Sequence, residues 1–170
     1  MNEFSRRYRL DALSVDPRSV EIEAEPAERE ALARRFGLVA VAALTAEAEL
    51  RRSGENVAAA GRLRARVTQS CIATAEPVEA AVEEDFRVDF RPPPAVDREE
   101  EIELGESELD VVFYEGGAVD LGEAVAQTLL LALDPYPRSA AAEAALREAG
   151  VESEAEARAK PSPFAGLKGD

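Results

Sequence analysis

Two runs of alternating apolar and polar side chains flank Ser53-Gly54-Glu55-Asn56, and they restrict the fold more than any other feature of the chain. If those four residues turn the chain, opposing residue numbers sum to 109, and the parities of both runs agree without adjustment. Leu50–Ala59, Ala48–Gly61, Ala46–Leu63, Leu44–Ala65 and Ala42–Val67 then share one face, with large side chains meeting small ones at most layers. The opposite face sets Glu47 across from Arg62, with Arg64 diagonal to Glu47. A long antiparallel hairpin is therefore the nucleus of the fold.

The flanking segments extend it. Phe4, Arg6, Tyr8 and Leu10 share a parity that permits a short first strand. Val20, Ile22 and Ala24 alternate with Glu21, Glu23 and Glu25, which predicts a half-buried strand with an acidic outer face. Pro26 suits the first position of a helix running to about Phe36, which Gly37 stops. Val78, Ala80, Val82, Phe86, Val88 and Phe90 share one face of a second long strand, broken only by Glu84, and Pro92-Pro93-Pro94 ends it. Residues 95–109 hold few apolar side chains and many acids, so a mobile acidic loop is expected. Asp110–Tyr114 returns to strand. Asp120 with Glu123 forms a capping-box pattern before a helix from Leu121 to about Leu133. Leu121, Val125, Leu129 and Leu133 lie at helical spacing. Leu130 and Leu131 make its second half apolar nearly all round, which predicts burial there.

These segments predict an α+β fold: an antiparallel, curled sheet of five or six strands, barrel-like in its strongest form, with two main helices. Residues 1–137 form its single domain. Residues 138–170 are an Ala- and Glu-rich extension with a loosely held helix and a Pro163-Phe164-Ala165-Gly166-Leu167 tail.

Composition narrows the chemistry. The chain has no histidine, which removes the commonest general base and metal ligand and every Ser–His or Cys–His pair. Cys71 is the only cysteine, so neither an internal disulfide nor a cysteine-based zinc cage can form. It shares parity with Leu63, Ala65 and Val67, and a buried, unreactive thiol is expected. The glycines never assemble into a phosphate loop, and no cofactor or metal motif is found. The first residues lack the apolar run of a secretory signal. The longest apolar stretch, Leu38–Leu44, is far short of the ~20 residues that cross a bilayer. A cytoplasmic protein that avoids membranes is expected.

The net charge of −15 is unevenly spread: residues 76–110 carry 14 acids and 3 bases. A field of that sign repels nucleic acid and attracts basic proteins. The candidate partner-binding acids are Glu83, Asp85, Asp97, Glu99, Glu100, Glu101 and Glu103; a solvated face plus a disordered loop is the plainer explanation of the same residues. Arg62, Arg64 and Arg66 form the candidate RNA-binding stripe. No aromatic shares their face, and pairing with Glu47 and Glu49 accounts for them more simply than phosphate contact. No spacing singles out a catalytic carboxylate pair, so no catalytic residue is assigned, and an enzyme is the remotest reading.

The order of features carries a resemblance. Cys71 ends an alternating strand, and a second long strand and acidic segment follow. Next come Val119-Asp120-Leu121, a helix closing Leu129-Leu130-Leu131-Ala132-Leu133-Asp134-Pro135-Tyr136-Pro137, and the terminal Pro163-Phe164-Ala165-Gly166-Leu167. This resembles the YceD family, the large ribosomal RNA subunit accumulation proteins of bacteria and plastids. The resemblance implies a role in 23S ribosomal RNA accumulation and large-subunit assembly, without an enzymatic activity. Many family members have Cys-x-x-Cys where this chain has Thr68-Gln69-Ser70-Cys71, and a further cysteine after the helix, so any metal role of those cysteines does not extend here. The combined expectation is a non-enzymatic assembly factor that holds a basic partner, a large-subunit ribosomal protein or another assembly factor, through residues 76–110. Ribosomal RNA is then contacted indirectly or weakly. Direct RNA binding through Arg62, Arg64 and Arg66 is the alternative.

Overall fold

The structure is a computed structural model that describes residues 2–93 and 110–151. The chain forms two compact units, residues 1–69 with 79–135, and residues 70–78 with 136–170.

The elements are β1 (Arg7–Arg9), β2 (Arg18–Glu23), α1 (Pro26–Phe36), β3 (Ala40–Ser53), β4 (Asn56–Ser70), β5 (Pro77–Arg91), β6 (Asp110–Phe113), β7 (Ala118–Asp120), α2 (Leu121–Ala132) and α3 (Ala142–Glu148). The fold is α+β, as expected. The main sheet has the order β2-β3-β4-β5-β6, and β1 pairs antiparallel with β7 in a separate two-stranded sheet.

The predicted hairpin register holds from Ser53↔Asn56 to Ala43↔Arg66. Gly54 has φ +64° at the first central position of the two-residue turn, where tight hairpins call for a positive angle. Beyond Ala43 the register shifts through a bulge, so Val41, not Ala42, lies opposite Val67. Val41 is buried and Ala42 exposed. Burying valine in place of alanine is worth roughly 1.5 kcal/mol at about 0.8 kcal/mol per CH2, enough to favour one irregular step at the strand end.

The sheet is neither purely antiparallel nor curled into a barrel. β6 runs parallel to β5, with Val88↔Asp110 and Phe90↔Val112. The stretch 92–109 between them is long enough for a crossover, where a tight turn would have forced antiparallel pairing. The sheet stays open because β2 and β6, at its two edges, do not pair with each other.

Helix α1 starts at Pro26, with the Glu28 carboxylate accepting from the Glu25 N–H at 2.7 Å, and ends where Leu38 N–H donates back to Ala33 O at 2.9 Å. It packs against β3. Leu32 and Ala33 of α1 join Leu44, Leu63, Phe86, Val88 and Phe90 of the sheet and Leu121, Val125 and Leu129 of α2 in one core. The expected burial of the whole second half of α2 does not occur: Leu130 is 44% and Leu131 79% exposed. One helix face suffices to cover the core, so the extra leucines turn outward.

In the second unit, the Ile72 N–H donates to Pro137 O at 3.0 Å and the Cys71 N–H to Glu76 O at 2.8 Å. The short α3 follows. The predicted acidic loop, the tail at 163–167 and the rest of the C-terminal extension beyond Val151 lie outside the described residues.

Candidate functional site

The strand alternation that fills the core on one side raises a charged face on the other. In register, Ser19 lies opposite Glu49, Glu21 opposite Glu47, and Glu47 opposite Arg62. Arg62, Arg64 and Arg66 run down the exposed side of β4, and Glu79, Glu83 and Asp85 down that of β5. An arginine stripe is thus flanked by carboxylates on both neighbouring strands.

The arginines are engaged within that face. Arg62 Nε donates to Asp85 Oδ1 at 2.6 Å, its Nη2 to Oδ2 at 3.1 Å, and its Nη1 to Glu83 Oε1 at 2.8 Å. Arg64 lies 3.3 Å from Glu47 and 3.6 Å from Glu83. The hydrogen bond and charge of Asp85, then the charge of Glu83, push the Arg62 guanidinium above its usual range, and the Arg62 hydrogen bond holds Asp85 below the usual carboxylate range. Sequence reasoning put Glu47 across from Arg62, which the register bears out. The ion pairs nevertheless run diagonally to Arg64 and across to β5, because the bidentate geometry of Asp85 suits a guanidinium better than one opposed carboxylate.

Among the described residues, Arg66 has no ion pair, and neither do Glu21, Glu49 or Glu79. Glu21 and Glu47 stand directly opposite one another, a like-charge pairing that no backbone requirement explains. Asp97, Glu99, Glu100, Glu101 and Glu103 lie outside the described residues.

A second polar constellation surrounds Cys71. The thiol is buried, as expected, yet it is a working acceptor: Ser139 N–H donates to its Sγ at 3.3 Å. The Thr74 hydroxyl, then that amide, pull the thiol down to about 6. Ser139 Oγ donates to Glu76 Oε2 at 2.7 Å, and Thr74 Oγ1 lies 3.0 Å from the same oxygen. The parity of Cys71 predicts burial but not these partners, since Ser139 lies 68 positions away and no local motif announces it. No group of three or more metal-ligating side chains is gathered among the described residues. No helix among them is long and apolar enough to cross a membrane.

These features define a small acidic α+β protein with an open mixed sheet and one face of interleaved charge. The chain belongs to the YceD family: the family model, described as Large ribosomal RNA subunit accumulation protein YceD, matches residues 59–169. That span runs from within β4 through α2 and includes Cys71. No curated protein and no solved structure matches the chain at a significant level.

Proposed function

We propose that the protein is a non-enzymatic assembly factor that supports accumulation of 23S ribosomal RNA and the making of the large ribosomal subunit. It does so by holding a basic partner, a large-subunit ribosomal protein or another assembly factor, through electrostatic attraction. The family assignment supports the ribosomal role. The observation that carries the mechanism is the engagement of Arg62 and Arg64 by Glu83, Asp85 and Glu47, which occupies two of the three arginines of the stripe while Glu21, Glu49 and Glu79 stay without an ion pair among the described residues.

Glu83 and Asp85 are already committed to Arg62, so they contribute to the field more than to direct contact. The acids at 97–103 add to the same attraction. The RNA-binding reading keeps one supporting observation: Arg66, with Arg51 of β3 and Arg87 of β5 on the same outward parity, is exposed and without an ion pair among the described residues. These guanidiniums stand one to a strand among carboxylates, and so few supply little of the phosphate neutralisation that RNA affinity requires.

The test is affinity purification of the tagged protein from cells, with and without ribonuclease, followed by mass spectrometry. Recovery of the same large-subunit protein under both conditions supports capture of a basic protein. Loss of all partners on ribonuclease treatment overturns it in favour of RNA. Neutralising Glu99, Glu100 and Glu101 together is expected to weaken capture and flatten its salt dependence.

A further inference from the structure

The strongest feature left unexplained lies in the first unit, at the C-terminal end of α2. There a trough is lined by Glu84, Phe86, Asp110, Thr128, Leu131 and Ala132, together with Asp85 and Arg87. We infer that this trough, resting on the reading of the protein as a holder of basic partners, is where the partner docks, and that the docking segment carries an apolar side chain flanked by lysine or arginine.

Leu131 supplies the apolar contact. It is 79% exposed beside buried Phe86, and neighbouring Leu130 is 44% exposed. A lone surface leucine is ordinary. This one differs in its surroundings. Glu84 occupies the core-facing parity of β5, where every other position from 78 to 90 is apolar, and it is exposed at the point where an apolar residue would have continued the core. Glu84 and Asp110 have no ion pair among the described residues, whereas Asp85 is held by Arg62. Arg87 is the single basic side chain among the described lining residues.

Helix α2 adds to the same polarity. It has no basic residue in its last turn, so nothing of that kind offsets the partial negative charge of its terminal carbonyls. Two free carboxylates and a helix C-terminus around an exposed leucine complement a cationic segment with an apolar anchor. They repel an acidic one, which sets the chain's own acidic stretch at 97–108 against this occupant.

The experiment uses the full chain and a fluorescent amphipathic peptide of leucine and lysine, with a serine-and-lysine peptide of equal charge as comparator. Affinity is read by anisotropy at low and physiological salt, and the site by amide chemical shifts. The leucine–lysine peptide is expected to bind more tightly than its comparator and to shift amides at 84–87 and 128–132. Leu131→Ser is expected to weaken it roughly tenfold, the loss of one buried anchor, with the salt dependence kept. Glu84→Gln combined with Asp110→Asn is expected to weaken it at low salt and flatten the salt dependence. Leu131 is exposed, so its variant should unfold at the wild-type temperature. Equal binding of both peptides, an unaffected Leu131→Ser protein, or shifts confined to other regions would overturn the docking site while leaving electrostatic capture standing. Failure of both peptides to bind would overturn capture itself.

Discussion

The Asp120 carboxylate accepts the Arg6 backbone N–H at 2.8 Å with the same oxygen that accepts the Glu123 N–H at 3.2 Å, so the cap of α2 also anchors the N-terminal segment. Its other oxygen accepts from the Ser5 hydroxyl at 2.6 Å and from Asn2 at 3.2 Å. The Arg6 guanidinium in turn grips Glu28 of α1 at 2.7 and 2.8 Å and lies over the Phe4 ring. Arg35 of α1 reaches both Glu3 and Glu123. Residues 3–6 are thereby fastened to both helices of the first unit.

Asp120→Ala removes an N-cap and strands three further donors, of which the Arg6 N–H and the Ser5 hydroxyl are part-buried. The cap is worth about 1 kcal/mol and each part-buried unsatisfied donor about 1 more, so a loss of roughly 2–3 kcal/mol is expected in denaturant unfolding. The loss depends on pH. Burial pushes the Asp120 carboxyl up, but the Ser5 hydroxyl, the Arg6 and Glu123 amides and Asn2 outweigh it and hold the group below its usual range. The native state therefore prefers the carboxylate more than the unfolded chain does. Its contribution is full above the ordinary aspartate value of about 4 and fades as pH falls through the lower native value. The gap between wild type and Asp120→Ala should narrow below about pH 4.

Gly122, in the first turn of α2, permits this arrangement. A Cβ there would sit 2.7 Å from Phe4 O and 2.8 Å from Arg6 N, against backbone that the Asp120 bonds hold in place. Alanine favours a helix over glycine by about 1 kcal/mol, whereas forcing apart a packed contact costs about 1–3 kcal/mol. Gly122→Ala should therefore destabilise the protein, with the lost protection of the N-terminal segment visible in hydrogen exchange. A stabilised variant would show that the segment yields freely.

Local signals were the legible ones. Pro26 and Gly37 mark both ends of α1, and Asp120 with Glu123 marks the start of α2, because each acts within one helical turn. The hairpin register is legible down to Ala43 because its two runs share a turn. What failed was settled over long distances. The parallel pairing of β6 depends on the path of a segment whose composition says nothing about strand direction. The bulge at Ala42 depends on which of two adjacent apolar residues the core accepts. Periodicity predicts a buried Leu131 because it measures how apolar a helix is, not how much of it the sheet covers; Glu84, breaking the parity of β5, marks an incomplete core there. The partners of Cys71 and the grip of Arg6 on Glu28 join residues that no motif relates.

Cys71 tests whether burial or hydrogen bonding governs the thiol. With the Thr74 hydroxyl and the Ser139 amide lowering it to about 6, thiolate absorbance should titrate near that value rather than near the usual 8.5. Thr74→Val, which removes the leading cause, should move the midpoint upward. Because the native thiol ionises more readily than the unfolded one, its stabilising contribution grows as pH rises from about 6 and is complete above about 8.5, and acidification through 6 removes it. Alkylation should stay slow even with the thiolate formed, since the side chain is buried. A midpoint unchanged by Thr74→Val would return Cys71 to the role of a plain core residue.

Arg62 separates the two readings of the charged face by the sign of a single effect. Its side chain is about half exposed and its pairs with Asp85 and Glu83 are in contact with solvent, so Arg62→Ala should leave the unfolding temperature nearly unchanged. The substitution removes one positive charge, releases Asp85 and leaves Glu83 with Arg64 alone on the same face. If the face serves a basic partner, affinity for an oligolysine peptide should rise severalfold at low salt, with the gain shrinking as salt is added. If Arg62 belongs to an RNA-binding stripe, affinity for single-stranded RNA should fall and oligolysine binding should not improve. Weaker RNA binding together with unimproved oligolysine binding would reverse the functional reading, because the carboxylates would then be accessories that position an arginine for phosphate.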